Sequence, residues 1–158
     1  MQLRWILSHV RGYLELGMLD EAEAELNQVP DEDARSIEVR TLRALVQQEK
    51  KQWPALAETA GALAREHPEE ASSWIMWAYA VRRAVSLEAA EKILLEAEHN
   101  HPKEATILFN LGCYACQRGD LGLAQKRVTQ AIALEAHFRD AAASDPDLDP
   151  LRQIGVKF

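Results

Sequence analysis

The sequence predicts an all-α fold of stacked antiparallel helix pairs, and three observations carry that prediction. Leu19, Trp53, Leu87 and Leu121 recur at a spacing of 34 each time (53−19, 87−53, 121−87). Within each copy, small or apolar residues follow three, seven and ten positions later: Ala22, Leu26 and Val29 in the first, Ala124, Val128 and Ala131 in the fourth. That spacing is one stripe of an amphipathic helix. Finally, alanine and leucine abound, while the seven glycines and six prolines sit mainly where elements should end.

The elements follow in order from this frame. First helices are expected near 4–16, 38–50, 72–84 and 106–118, and second helices near 19–29, 53–66, 87–100 and 121–135. Pro68 and Pro102 close second helices, because proline lacks an N–H and disfavours helix in the residue before it. Pro54 fits the first turn of a helix, where its missing donor costs nothing. Ser86 and Asp120 precede second helices as N-cap types. Ala44, Ala78 and Gly112 are small where paired helices must approach closely. Residues 139–158 break the period, and they read as a short helix, a proline turn, and Leu148, Leu151 and Ile154 laid over the last pair. Gly155 to Phe158 read as a frayed end.

This pattern resembles the tetratricopeptide repeat, whose signature is W-x2-L-G-x2-Y…A-x3-F…P over 34 residues. The third copy reads Trp74-x2-Trp77-Ala78-x2-Val81…Ala90-x3-Leu94…Pro102, and the fourth Leu108-x2-Leu111-Gly112-x2-Ala115…Ala124-x3-Val128. The second copy departs most, with Arg40 and Arg43 at positions usually apolar. The resemblance implies a right-handed α-solenoid of four repeats, 3–36, 37–70, 71–104 and 105–138, with 139–158 as a capping segment. An Asp-Pro-Asp-x-x-Pro-Leu segment such as 145–151 is similar to those that close many bacterial proteins of this kind, which points to a bacterial source.

Composition narrows the function. A net charge of −7 argues against sequence-independent nucleic-acid binding and against anionic membrane surfaces, since both need clustered Lys and Arg. No 18-residue apolar span occurs, and Arg4, Ser8, His9 and Arg11 interrupt any secretory apolar run near the start. With only two cysteines there is no disulfide framework, so a cytoplasmic location is expected.

Chemical motifs are sparse. Cys113-x-x-Cys116 has the spacing of a redox pair or half a zinc site, but no second cysteine pair exists to complete a metal centre. Packing inside a helix is the plainer role, with a thiol switch as an alternative. His67 and His101 occupy equivalent positions beside the inter-repeat prolines and read as turn residues, not metal ligands. Trp74 and Trp77 belong to the core. No Ser/His/Asp set, phosphate loop or paired carboxylate site is present. No enzyme activity, cofactor or metal is expected.

The resemblance implies that first helices line a concave groove for a partner protein or peptide. The equivalent positions include Leu45, Tyr79, Arg82 and Arg83, followed by Phe109, Asn110 and Cys113. An apolar strip beside two arginines suits a partner with acidic or carboxylate groups, because guanidinium matches carboxylate geometry. Glu49, equivalent to Arg83 one repeat earlier, could instead absorb that charge. The expectation is thus a protein-interaction scaffold, with a self-assembling solenoid as the alternative. Trp5 precedes the first apolar frame position, Ile6, and faces the open N-terminal end. It is the candidate oligomer contact, in a monomer or weak homodimer.

Overall fold

An apolar stripe on each helix leaves every pair with a face it cannot bury alone, and stacking supplies the cover. The computed structural model describes residues 2–158. The helices are α1 Gln2–Glu15, α2 Leu19–Leu26, α3 Ile37–Glu49, α4 Trp53–Glu66, α5 Ala71–Ala84, α6 Leu87–Asn100, α7 Ala105–Gln117, α8 Leu121–Leu134, α9 Phe138–Ser144 and α10 Asp149–Gln153. A 3-10 turn, Pro146–Leu148, links the last two. No strand occurs among the described residues. The stripe read from the sequence is the core: Ala22, Leu56, Ala90 and Ala124 are completely buried, as are Ala60, Leu94, Val128, Ala97 and Ala131.

The chain forms two compact units, Met1–Ser86 and Leu87–Phe158. In the first, Ile6, Leu7 and Val10 of α1 pack with Ala22 and Leu26 of α2 and with Val39, Leu42 and Val46 of α3. A second cluster joins Ala44, Leu56, Ala60 and Ala80, with Trp53, Met76 and Trp77 against it. Gly61 makes room for Trp77, whose ring would lie 3.0 Å from any added Cβ. The guanidinium of Arg65 covers the same ring at 4.5 Å. Trp74 is buried and donates its Nε1–H to the Pro68 carbonyl at 3.1 Å.

In the second unit, α7 is the central helix. Ala105 and every residue from Ile107 to Cys116 except Asn110 are buried, between α6 on one side and α8 and the capping elements on the others. Gly112 lets α8 approach, since a Cβ there would stand 2.7 Å from Val128 Cγ2 and 3.2 Å from its backbone nitrogen. Leu148 and Leu151 of the cap are fully buried. Arg152 fixes this segment by donating to the carbonyls of Ala142 at 2.7 Å and Asp145 at 2.8 Å.

The turn inside a pair needs one residue in the left-handed region, which glycine adopts without a Cβ clash. Gly17 and Gly119 take it at φ 70° and 86°, and Lys51 takes it at 56°. In each case the chain closes with a six-residue hydrogen-bonded loop: Met18 N–H to Tyr13, Gln52 N–H to Gln47 and Asp120 N–H to Ala115. Val85 occupies the equivalent place in the sequence, but a β-branched residue disfavours that region, and it sits at φ −128°.

Three local expectations are corrected. α2 stops at Leu26 instead of reaching Val29, because Pro30 keeps Val29 out of the helical region and the chain tightens into three-residue turns. Ile154 is 63% exposed and contributes no cover. The chain end is not frayed: the Val156 N–H bonds the Leu151 carbonyl at 3.1 Å, and Phe158 is half-buried. The arginines of the second copy also find uses. Arg40 pairs with Glu66 at 2.7 Å, and Arg43 donates to the Leu26 carbonyl at 3.0 Å and to Asn27 Oδ1 at 3.1 Å, capping the C-terminus of α2.

Candidate functional site

The candidate groove residues fall into two sets, one in each unit. Leu45 on α3 and Tyr79 on α5 are partly exposed, at 37% and 38%. Arg83 is exposed and Arg82 half-buried. Ser72, Met76, Tyr79 and Arg83 recur at four, three and four residues, which places them on one face of α5. Thr41 and Leu45 do the same on α3. The floor of this face near its start is a small cavity of about 190 Å³ lined by Ile37, Thr41, His67, Ser72 and Met76 among others. From Ser72 to Arg83 the helix rises roughly 16 Å, room for about five residues of extended chain.

Arg83 gives the face its chemical character. Its guanidinium carbon lies 3.4 Å from the centre of the Tyr79 ring and 5.2 Å from that of Trp53, and one Nη donates to the Tyr79 carbonyl at 3.1 Å. The two rings meet edge to face, with centroids 5.6 Å apart. The ion pair with Glu49 that could have absorbed the charge does not form; Arg83 makes no salt bridge among the described residues. Stacking holds the planar fork in place while leaving N–H groups at its edge for an acceptor. Trp53 was legible in the sequence only as packing. Its second role, as a platform for Arg83, depends on side-chain direction.

The second set is corrected. Phe109 is 5% exposed and stacks on Phe138 of α9 with centroids 4.8 Å apart. Cys113 is 3% exposed, and its Sγ contacts Asp145 Oδ2 at 3.9 Å. The capping segment covers both side chains, so neither can touch a partner on this surface. Asn110 is half-buried between them. A partial signal was available: Leu111 to Cys116 run six residues without a charged or amide side chain, more than one helix face can hold, although Thr106, Asn110 and Gln117 form a polar stripe.

The cysteines are two buried thiols with no disulfide. Burial pushes the Cys116 thiol up, a backbone hydrogen bond from Leu151 only partly opposing it, so the nucleophilic thiolate is disfavoured. Sequence reasoning did not foresee that Asp145 and Asp147 fold over Cys113, with ligand-type atoms of all three within 4.8 Å of one another. Asp145 is already employed there, accepting the Asp147 N–H at 2.9 Å as the cap of the 3-10 turn. His67 and His101 behave as turn residues, each donating its backbone N–H one helical turn back, to Leu63 and Ala97, at 2.8 Å.

Elsewhere, ion pairs tie neighbouring helices together, as Arg40 does with Glu66 and Arg127 with Glu98. Lys50 bonds Asp20 at 2.7 Å and Glu23 at 2.5 Å, holding both carboxyls below their usual range while its own ammonium is pushed up. Trp5 is 65% exposed, its ring edge-on to His9. No helix among the described residues is long and apolar enough to cross a membrane.

No protein-family model matches the chain, and no curated protein sequence matches it. Solved structures do. A thermophilic TPR protein of Thermus thermophilus aligns with TM-score 0.71 at 20% identity, over 95% of this chain and 86% of that one. YrrB, described as a TPR protein with an unusual peptide-binding site, aligns with TM-score 0.67 at 12% identity, over 93% and 71%. PilF of Pseudomonas aeruginosa aligns with TM-score 0.71 at 19% identity, over 96% and 72%. At these identities the likeness is one of fold. The fold is the helix-pair solenoid of the tetratricopeptide proteins.

Proposed function

We propose that this protein is a non-enzymatic interaction module that binds an extended segment of a partner protein along the first-helix face of its N-terminal unit. The observation that carries the reading is Arg83, stacked on Tyr79 and Trp53 with no acidic partner of its own. A carboxylate on the partner would accept from the edge of that guanidinium. Leu45 and the Tyr79 ring would take a neighbouring apolar side chain, and the cavity at Thr41 and Ser72 a small one. The peptide-binding description of YrrB supports this class of partner. Arg82, Phe109, Asn110 and Cys113 are left out of the proposed contact.

Peptides selected from a displayed random library, with affinities measured by titration calorimetry, test the reading. Enriched sequences should pair an acidic residue with an apolar neighbour. Hydrogen bonds to charged groups contribute about 1.5–3 kcal/mol, so Arg83→Ala should weaken a selected peptide roughly tenfold or more. Arg83→Lys should restore only part, lacking the planar fork. Glu96→Ala, on the exposed side of α6, should leave affinity unchanged. Unchanged affinity in Arg83→Ala would remove the basis of the assignment.

A further inference from the structure

We infer that the exposed face of α1 is a homodimer interface, at which the α1 helices of two copies pack antiparallel. The internal repetition of the N-terminal unit says what such a face is for. Trp5, His9, Gly12 and Leu16 stand 34 residues before Val39, Arg43 and Val46 of α3 and Lys50, which caps its end. There all four positions are occupied with the preceding helix pair. Val39 and Val46 are in its core, Arg43 caps α2, and Lys50 binds Asp20 and Glu23. On α1 the same face is open. Trp5 is 65% and Leu16 74% exposed, and no atom lies within 4 Å of where a Gly12 Cβ would be.

Residue types select the occupant. The two cations that grip the end and the acidic side of α2 are replaced by His9 and Leu16. His9 faces Glu25 of its own pair at 3.7 Å and Leu16 carries no charge, so neither offers the cationic grip that Arg43 and Lys50 provide. The face is self-complementary instead. Trp5 and Leu16 are eleven residues apart, three turns and about 20°, so both lie on one stripe. An antiparallel second copy places residue i opposite residue 21−i, setting Trp5 against Leu16 and His9 against Gly12, whose missing side chain allows close approach. Arg4 and Glu15, also eleven apart, flank the stripe on the same side, and neither makes an ion pair among the described residues. Two-fold symmetry keeps that flank together, bringing Arg4 within two residues of register, roughly 3 Å, of Glu15 in the second copy.

Sedimentation equilibrium on the full chain tests this, with circular dichroism to confirm folding of each variant. The wild type should dimerise with concentration, and Trp5→Ala should raise the dissociation constant about tenfold or more, as loss of a central tryptophan does at interfaces. Arg4→Glu and Glu15→Arg should each weaken the dimer several-fold, since symmetry repeats the pair. The double charge swap should recover wild-type association. A wild type monomeric at its highest soluble concentration, a dimer indifferent to Trp5→Ala, or a double swap no better than the single reversals would each overturn the proposal.

Discussion

Gly112 shows how one residue can set a helix pair. In an exposed helix, glycine to alanine would gain about 1 kcal/mol of propensity. Here the added methyl meets Val128 Cγ2 at 2.7 Å, and behind it the Val128 nitrogen at 3.2 Å and the Ala124 carbonyl at 3.3 Å. Val128 is fully buried and, being β-branched, has little rotamer freedom to yield. Overpacking typically costs about 1–3 kcal/mol, so Gly112→Ala should destabilise by up to about 2 kcal/mol after the propensity gain. Chemical denaturation measures this, and a double-mutant cycle identifies the cause. In a Val128→Ala background the penalty should shrink, leaving only the tight approach to the Val128 nitrogen and the Ala124 carbonyl. An undiminished penalty there would place the strain elsewhere. This position was legible in the sequence because Ala44, Ala78 and Gly112 share one register. The partner was legible as well, since Val128 lies on the stripe of the facing helix.

At the scale of the element, the contrast between α5 and α7 explains what was misread. Both are first helices, and the repeat frame assigns them equivalent faces, so Tyr79 and Phe109 both entered the expected groove. The frame carries no information about the segment that follows the last repeat. Residues 138–153 fold back and place Phe138, Leu148 and Leu151 against that second unit's core. The unbroken run from Leu111 to Cys116 held the clue, and periodicity alone passed over it. The cap also determines the chemistry of the thiols. Full burial of each leucine is worth roughly 1.5–3 kcal/mol, so Leu148→Ala should loosen the segment without removing it. Cys113 and Cys116 should then react with an aromatic disulfide reagent much faster than in the wild type, where reaction awaits local opening. Labelling followed by mass spectrometry reads both sites. Equal protection in the two proteins would mean that something other than the cap shields them.

Across the whole molecule, the 34-residue period made the fold legible because repetition multiplies a weak local signal. Four degenerate copies in phase define eight helices where one copy would define none. The binding face was less legible, because it depends on side-chain stacking that no period encodes. Stability should also be uneven along the chain. In a helix-pair array each repeat is held by its neighbours, so stability is a sum of local terms. The second unit has a helix covered on all sides, with Leu94, Ile107, Leu111, Leu148 and Leu151 fully buried. The first begins with α1, whose open face exposes Trp5 and Leu16, and continues with α2, eight residues long and without a side-chain N-cap. The first unit should therefore unfold at lower denaturant than the second. The sequence supplies its own probes. All four tryptophans, Trp5, Trp53, Trp74 and Trp77, lie in the first unit, and both cysteines lie in the second. Tryptophan fluorescence and pulsed thiol labelling through one urea series, on dilute protein to keep it monomeric, should give separate midpoints, with fluorescence changing first. Helical circular dichroism should follow as a broadened curve spanning both. Coincident midpoints from the two probes would show instead that the chain unfolds as one cooperative unit, with the weakness of α1 and α2 shared over its whole length.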